Sequence, residues 1–127
     1  MLAAVLVLAA VSLAGCGLQA LPSIPLQTPV ATASAWLAAI DSRDQSLVLA
    51  YIVPDERSQL NWDELSPLTF SDIKCHLQSV AADTAQVLCS FSLQNSSSEA
   101  PVSSPWLVQM ARAPSGTWLI ENYGESE

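Results

Sequence analysis

Three cysteines, one histidine and twelve carboxylates are the side chains of this 127-residue chain best suited to chemistry. Cys75 and Cys89 stand in two segments of alternating polarity, SDIKCHLQSV and AQVLCSFSLQ, on either side of the turn-like Ala81-Ala82-Asp83-Thr84. Drawn as an antiparallel hairpin with a loop at 81–83, Val80 faces Thr84. The same register sets Ser79 against Ala85, Leu77 against Val87, Cys75 against Cys89 and Ile73 against Phe91. A slip of one residue would set apolar positions against polar ones, so the pattern selects its own parity. Directly opposed residues have Cβ atoms about 4.5–5.5 Å apart, within reach of a disulfide. The other reading is two reduced thiols packed as small hydrophobes. No CxxC spacing points to redox catalysis. His76 lies between Lys74 and Gln78 on the polar face of its segment and reads as a solvated imidazole. Asp72 and Glu121 fall near strand ends, where single acids are solvated. One histidine leaves no zinc-type cluster. Phosphate-cradling GxxxxGK and GxGxxG runs are absent, as is the Gly-x-Ser-x-Gly elbow. No catalytic residue, metal or cofactor is therefore assigned.

Cys16 has a different setting. It closes the apolar and small-residue run MLAAVLVLAAVSLAG, whose only positive charge is the amino group of Met1. At about 1.5 Å per residue, this run reaches only about 22 Å as a helix, short of a hydrocarbon core of about 30 Å. A signal-peptide hydrophobic region fits better than a permanent span. Leu13-Ala14-Gly15-Cys16 resembles a bacterial lipobox. The resemblance implies that the Cys16 thiol accepts a diacylglyceryl group and that residues 1–15 are removed. More than one acyl chain gives durable anchoring, which a single chain does not. The expectation is an extracytoplasmic protein held on the cell-envelope membrane through Cys16. Export leaves Cys75 and Cys89 as an even pair in an oxidising compartment and favours the disulfide, in a structural role.

The composition agrees with a small folded domain. Half the residues are apolar and only four are glycine, which excludes a collagenous or low-complexity chain. A formal charge of -8 argues against binding nucleic acid through its phosphates. Residues 16–28 carry the lipidated cysteine and an uncharged, proline-containing tether. Thr28-Pro29 is a helix start, and Val30, Ala33, Trp36, Leu37 and Ile40 recur at helical spacing. DSRD at 41–44 interrupts this helix. A second carries Leu47, Val48, Tyr51 and Ile52 on one stripe and is closed by Pro54. Asn61 caps a short turn across Trp62, Asp63 and Glu64. Strands follow from Phe70: the cysteine hairpin, a polar loop at 94–104, and a last pair, Pro105 to Arg112 and Thr117 to Tyr123, around Ala113-Pro114-Ser115-Gly116. The register of that last pair stays open.

Two or three helices followed by a strand meander imply an α+β domain over residues 29–124, with helices packed on one face of a four-stranded antiparallel sheet. The opening PVATASAWLAAIDSRDQSLVLAYI and the closing WLVQMARAPSGTWLIENYG, with Gly116-Thr117-Trp118-Leu119-Ile120, resemble the nuclear transport factor 2-like superfamily. The resemblance implies a cone-shaped fold with a curved sheet, and in enzyme members an acid or a His–Asp pair inside the cone. No such catalytic position carries over to this chain. Trp36, Tyr51 and Trp118 are candidates to line a cone cavity, though core packing is the other use of large rings. The favoured function is a non-enzymatic, lipid-anchored envelope protein that binds a small apolar ligand or another envelope protein. The alternatives are a cone-fold enzyme of isomerase or cyclase type and an accessory subunit of an envelope complex.

Overall fold

The computed structural model describes residues 21–95, 102–103 and 105–125. The apolar run, Cys16 and most of the 94–104 loop lie outside the described residues. Among the described residues, no helix is long and apolar enough to cross a membrane.

Helix α1 (Pro29–Asp41) starts as its sequence predicts. The Thr28 hydroxyl accepts the Ala31 N–H at 3.1 Å, and Pro29 needs no donor at the first helical position. Its buried side is Thr32, Ala33, Trp36, Leu37, Ala39 and Ile40, with Val30 half-buried against the same core. Arg43 turns the chain with φ 61, and Asp44 caps α2 (Gln45–Ala50) by accepting the Leu47 N–H at 3.3 Å. The acidic break does more than end a helix. Asp41 Oδ1 accepts the Phe70 N–H at 3.0 Å, tying the end of α1 to the start of the sheet.

The second helix is shorter than its apolar stripe suggests. Tyr51 is its C-cap, and Ile52 leaves it to bridge Ile120 in parallel fashion. Pro54 opens a 3-10 helix (Pro54–Gln59) in addition to closing the element before it. Arg57 Nε donates to the carbonyls of Leu49 (2.9 Å) and Ile52 (3.1 Å), tying the 3-10 helix to the chain at the end of α2. Helix α3 (Trp62–Leu65) follows Asn61, whose side chain makes no capping bond.

The strands are β1 (Leu68–Val80), β2 (Thr84–Asn95), β3 (Val102–Ser103), β4 (Trp106–Arg112) and β5 (Trp118–Glu125). They form one curved antiparallel sheet in the order β1-β2-β4-β5, and the two-residue β3 joins β2 as a fifth strand. Helix α1 packs on β1, β2 and β5. The expected α+β architecture is therefore present.

The cysteine hairpin has the predicted register only at its centre, where Leu77 faces Val87 and Cys75 faces Cys89. The two cysteines are joined in a disulfide. Toward the turn Val80 faces Ala85 and Ser79 faces Gln86, because Gln78 is an extra residue on β1. Toward the other end Ile73 has no direct partner in Phe91. Asp72, with φ 54, lies in a bulge that re-phases β1, so that Phe70 faces Leu93. Leu77 and Val80 are 43% and 55% exposed, since this end of β1 runs past the apolar residues beneath the sheet. In the last hairpin Arg112 faces Trp118 and Met110 faces Ile120, and a bulge at Glu121 then sets Asn122 against Gln109. Its turn is closed by Ala113 N–H to the Thr117 carbonyl and Gly116 N–H to the Ala113 carbonyl, both 2.8 Å. Gly116 sits at φ +94, a region in which glycine has no steric cost. Ahead of α1, residues 21–28 form no helix or strand and Ile24 packs on the core, so packing begins before the expected end of the tether.

The Cys75–Cys89 bond closes a loop of sequence separation 14. Chain-entropy arguments give such a cross-link about 3 kcal/mol. Replacing both cysteines by alanine is expected to lower the unfolding free energy by about that amount in urea titrations monitored by tryptophan fluorescence.

Candidate functional site

The inner face of the sheet and α1 enclose a continuous run of aromatic rings. Phe70 meets Phe91 (4.9 Å between centroids) and Trp106 (5.5 Å), and Phe91 meets Trp106 (5.3 Å). Trp106 meets Tyr123 at 5.4 Å, and Tyr123 meets Trp36 at 4.8 Å. The first three contacts are edge-to-face, which pairs the positive rim of one ring with the negative face of the next. Trp36, Tyr51 and Trp118, the sequence candidates for cavity lining, all belong to this packed interior: Trp36 is fully buried, and the other two nearly so. Trp36 Nε1 has no hydrogen-bond partner, so its ring acts by packing. Trp118 also carries the Arg112 guanidinium 5.9 Å from its ring centre. Besides the Tyr51 hydroxyl and the indole N–H groups, the buried side chains among the described residues offer the Thr32 hydroxyl, and neither a carboxylate nor an imidazole. The Thr32 hydroxyl donates to the Thr28 carbonyl at 2.9 Å. His76, Asp72 and Glu121 are exposed.

An open concavity lies at the rim of this interior. It is a groove of about 280 Å³ between the 3-10 helix and β5. Half-buried Leu60 and Tyr123 supply its apolar surface, above the buried core side chains of Ile52 and Ile120. Glu56 and Gln59 on one bank, and Glu121 and Asn122 on the other, supply its polar groups. None of Trp36, Tyr51 and Trp118 lines it.

Backbone pairing builds the groove. Ile120 N–H donates to the Tyr51 carbonyl at 2.7 Å, and Val53 N–H donates to the Ile120 carbonyl at 2.9 Å. These two bonds hold the end of α2 along β5, and Pro54 then turns the chain away. The bulge sets Glu121, one residue past Ile120, on the groove's bank. The Tyr123 hydroxyl is held above the usual phenol range, first by burial and second by the negative charge of Glu64. No lysine, arginine or histidine lines the groove. It is an apolar floor under an acidic rim, suited to a partner that brings apolar contacts and positive charge.

No protein-family model and no curated protein matches the chain. Solved structures do. A SEC-C motif containing protein from Rhodopseudomonas palustris superposes with a TM-score of 0.67 at 15% identity, over 79% of this chain and 80% of that one. A ketosteroid isomerase-like protein from Erwinia carotovora atroseptica superposes with a TM-score of 0.52 at 19% identity, over 73% of this chain and 88% of that one. At such identities the likeness is one of fold, and the fold is nuclear transport factor 2-like: a curved antiparallel sheet with helices on its inner face.

Sequence reasoning did not find the groove. Ile52 and Ile120 read as core residues and Glu121 as a solvated strand-end acid, which they are, but nothing in the sequence brings Glu56 and Leu60 beside them. The one local signal was the imperfect alternation around Glu121, which marks the bulge.

The state of Tyr123 has a measurable consequence. Its folded pKa lies above the unfolded value of 10.0, so above that pH the unfolded chain loses this proton while the folded chain keeps it. Stability is then expected to fall as pH rises from about 10 toward the folded pKa. Ultraviolet titration should show a late-ionising phenol in the native protein, and Tyr123→Phe should abolish it.

Proposed function

We propose that this protein is a lipid-anchored component of the cell envelope that works by binding rather than by catalysis, with another envelope protein as its partner. The observation that carries the reading is the filled interior. The ring run from Phe70 through Phe91, Trp106 and Tyr123 to Trp36 packs the interior between the sheet and α1, where the described residues bury neither a carboxylate nor an imidazole. The groove at the rim is open to solvent and offers a surface to dock on. An enclosed small apolar ligand fits less well, since such ligands are largely surrounded by their sites.

The anchor follows from the lipobox resemblance at Leu13-Ala14-Gly15-Cys16. The acidic balance of the chain supports the same arrangement, because it keeps the domain off anionic headgroups except where a lipid holds it.

Mass spectrometry of the protein from its native membrane is expected to find an acylated Cys16 as the first residue. Cross-linking in intact envelopes should capture a protein partner. Unprocessed chain in a soluble cytosolic fraction would remove the anchor from this reading. Absence of any cross-linked protein, with turnover of a small substrate instead, would replace the reading with the enzyme alternative.

A further inference from the structure

The open stretch of β5 is the feature that specifies a partner. β5 is an edge strand, paired with β4 on one side. On its other side the chain at Tyr51–Val53 covers it as far as Ile120. From Glu121 to Glu125, among the described residues, no strand lies beside it. The groove occupies the space where the line of Tyr51–Val53 would continue had Pro54 not turned the chain away.

We infer that this edge takes an extended, basic peptide segment of the partner as an added strand, with its apolar side chains on Leu60 and the ring of Tyr123 and its cationic side chains toward Glu56 and Glu121. The inference rests on the binding reading above and names its site.

Three observations carry it. An exposed edge offers unpaired backbone groups, and proteins blunt such edges unless they use them. Here the Tyr123 N–H is held by the neighbouring Asn122 side chain, whose Oδ1 accepts it at 2.9 Å. This local bond is one that a peptide carbonyl can take over without leaving a donor bare. The charge is one-sided as well. Glu56 and Glu121 line the groove and no cation does; Arg57 keeps its charge but is not among the lining residues, its Nε donating to the Leu49 and Ile52 carbonyls. The apolar floor and the acidic banks, finally, match a strand whose side chains alternate between two faces. A compact small molecule would use the floor and the charge but leave the strand edge unpaired.

The test uses the full chain, isotope-labelled and in detergent, with an alternating lysine–valine hexapeptide as the probe. Amide shifts are expected at residues 52–60 and 120–125, with slowed hydrogen exchange at the β5 edge. Affinity should drop about tenfold in Glu56→Gln/Glu121→Gln and should fall with added salt. A threonine–valine peptide should bind more weakly and a glutamate–valine peptide not at all. Both substituted glutamates are polar rim positions, and an unchanged spectrum elsewhere would show that the variant keeps its fold. Shifts centred on other residues, or equal affinity in the variant, would overturn the inference. So would equally tight binding of decylammonium, which would make the groove a small-molecule site. If the peptide fails while an envelope protein is still cross-linked, this inference falls and the binding reading stands. If no partner is cross-linked, the binding reading itself falls.

Discussion

The interior of this domain is set by a run of rings, and the rest of the structure accommodates them. Phe70, Phe91, Trp106, Tyr123 and Trp36 touch in succession with centroids 4.8–5.5 Å apart. They link the opening of β1, the middle of β2, the start of β4, the end of β5 and helix α1. Large rings bury much apolar area in a small volume, and their edge-to-face contacts add a directional preference. A domain of this size has a limited core, so rings spanning four strands and a helix contribute a large share of its packing. Among the described residues, neither a carboxylate nor an imidazole is buried with them.

Two bulges make that packing compatible with a sheet. A strand that alternated without interruption from Val80 back to Leu68 would set Phe70 out of phase with Ile73 and Cys75. The left-handed residue at Asp72 restores the phase and lets Phe70 reach Phe91 and Trp106. The bulge at Glu121 does similar work on β5: Ile120 stays in the core, Tyr123 still points to Trp36 and Trp106, and a carboxylate is placed at the groove. Tyr123 therefore belongs to both regions, as the last ring of the interior and as one wall of the groove. Its pKa is raised by burial first and by the negative charge of Glu64 second.

Helix α1 shows how local and distant information combine. Thr28, Pro29 and the apolar spacing are local signals and were legible. The role of Asp41 was not. Its residue type marks a helix end, but its carboxylate holds a backbone donor 29 residues away. The central register of the cysteine hairpin was likewise legible, because the alternation and the two thiols agree on one parity. Its ends were not, because a bulge adds a residue without altering the local polarity pattern enough to announce itself.

By itself the sequence determined the start of α1, the opposition of Cys75 and Cys89, the α+β order and the lipobox resemblance. Each of these depends on residues close in the chain or on a simple period. Tertiary structure alone decided which rings fill the interior, where the bulges fall and where a groove opens. Ile52 meets Ile120 across 68 positions of sequence through two backbone bonds that carry no side-chain signature. A concavity made by such a meeting is a property of how the chain returns on itself, and no stretch of residues read in order contains it.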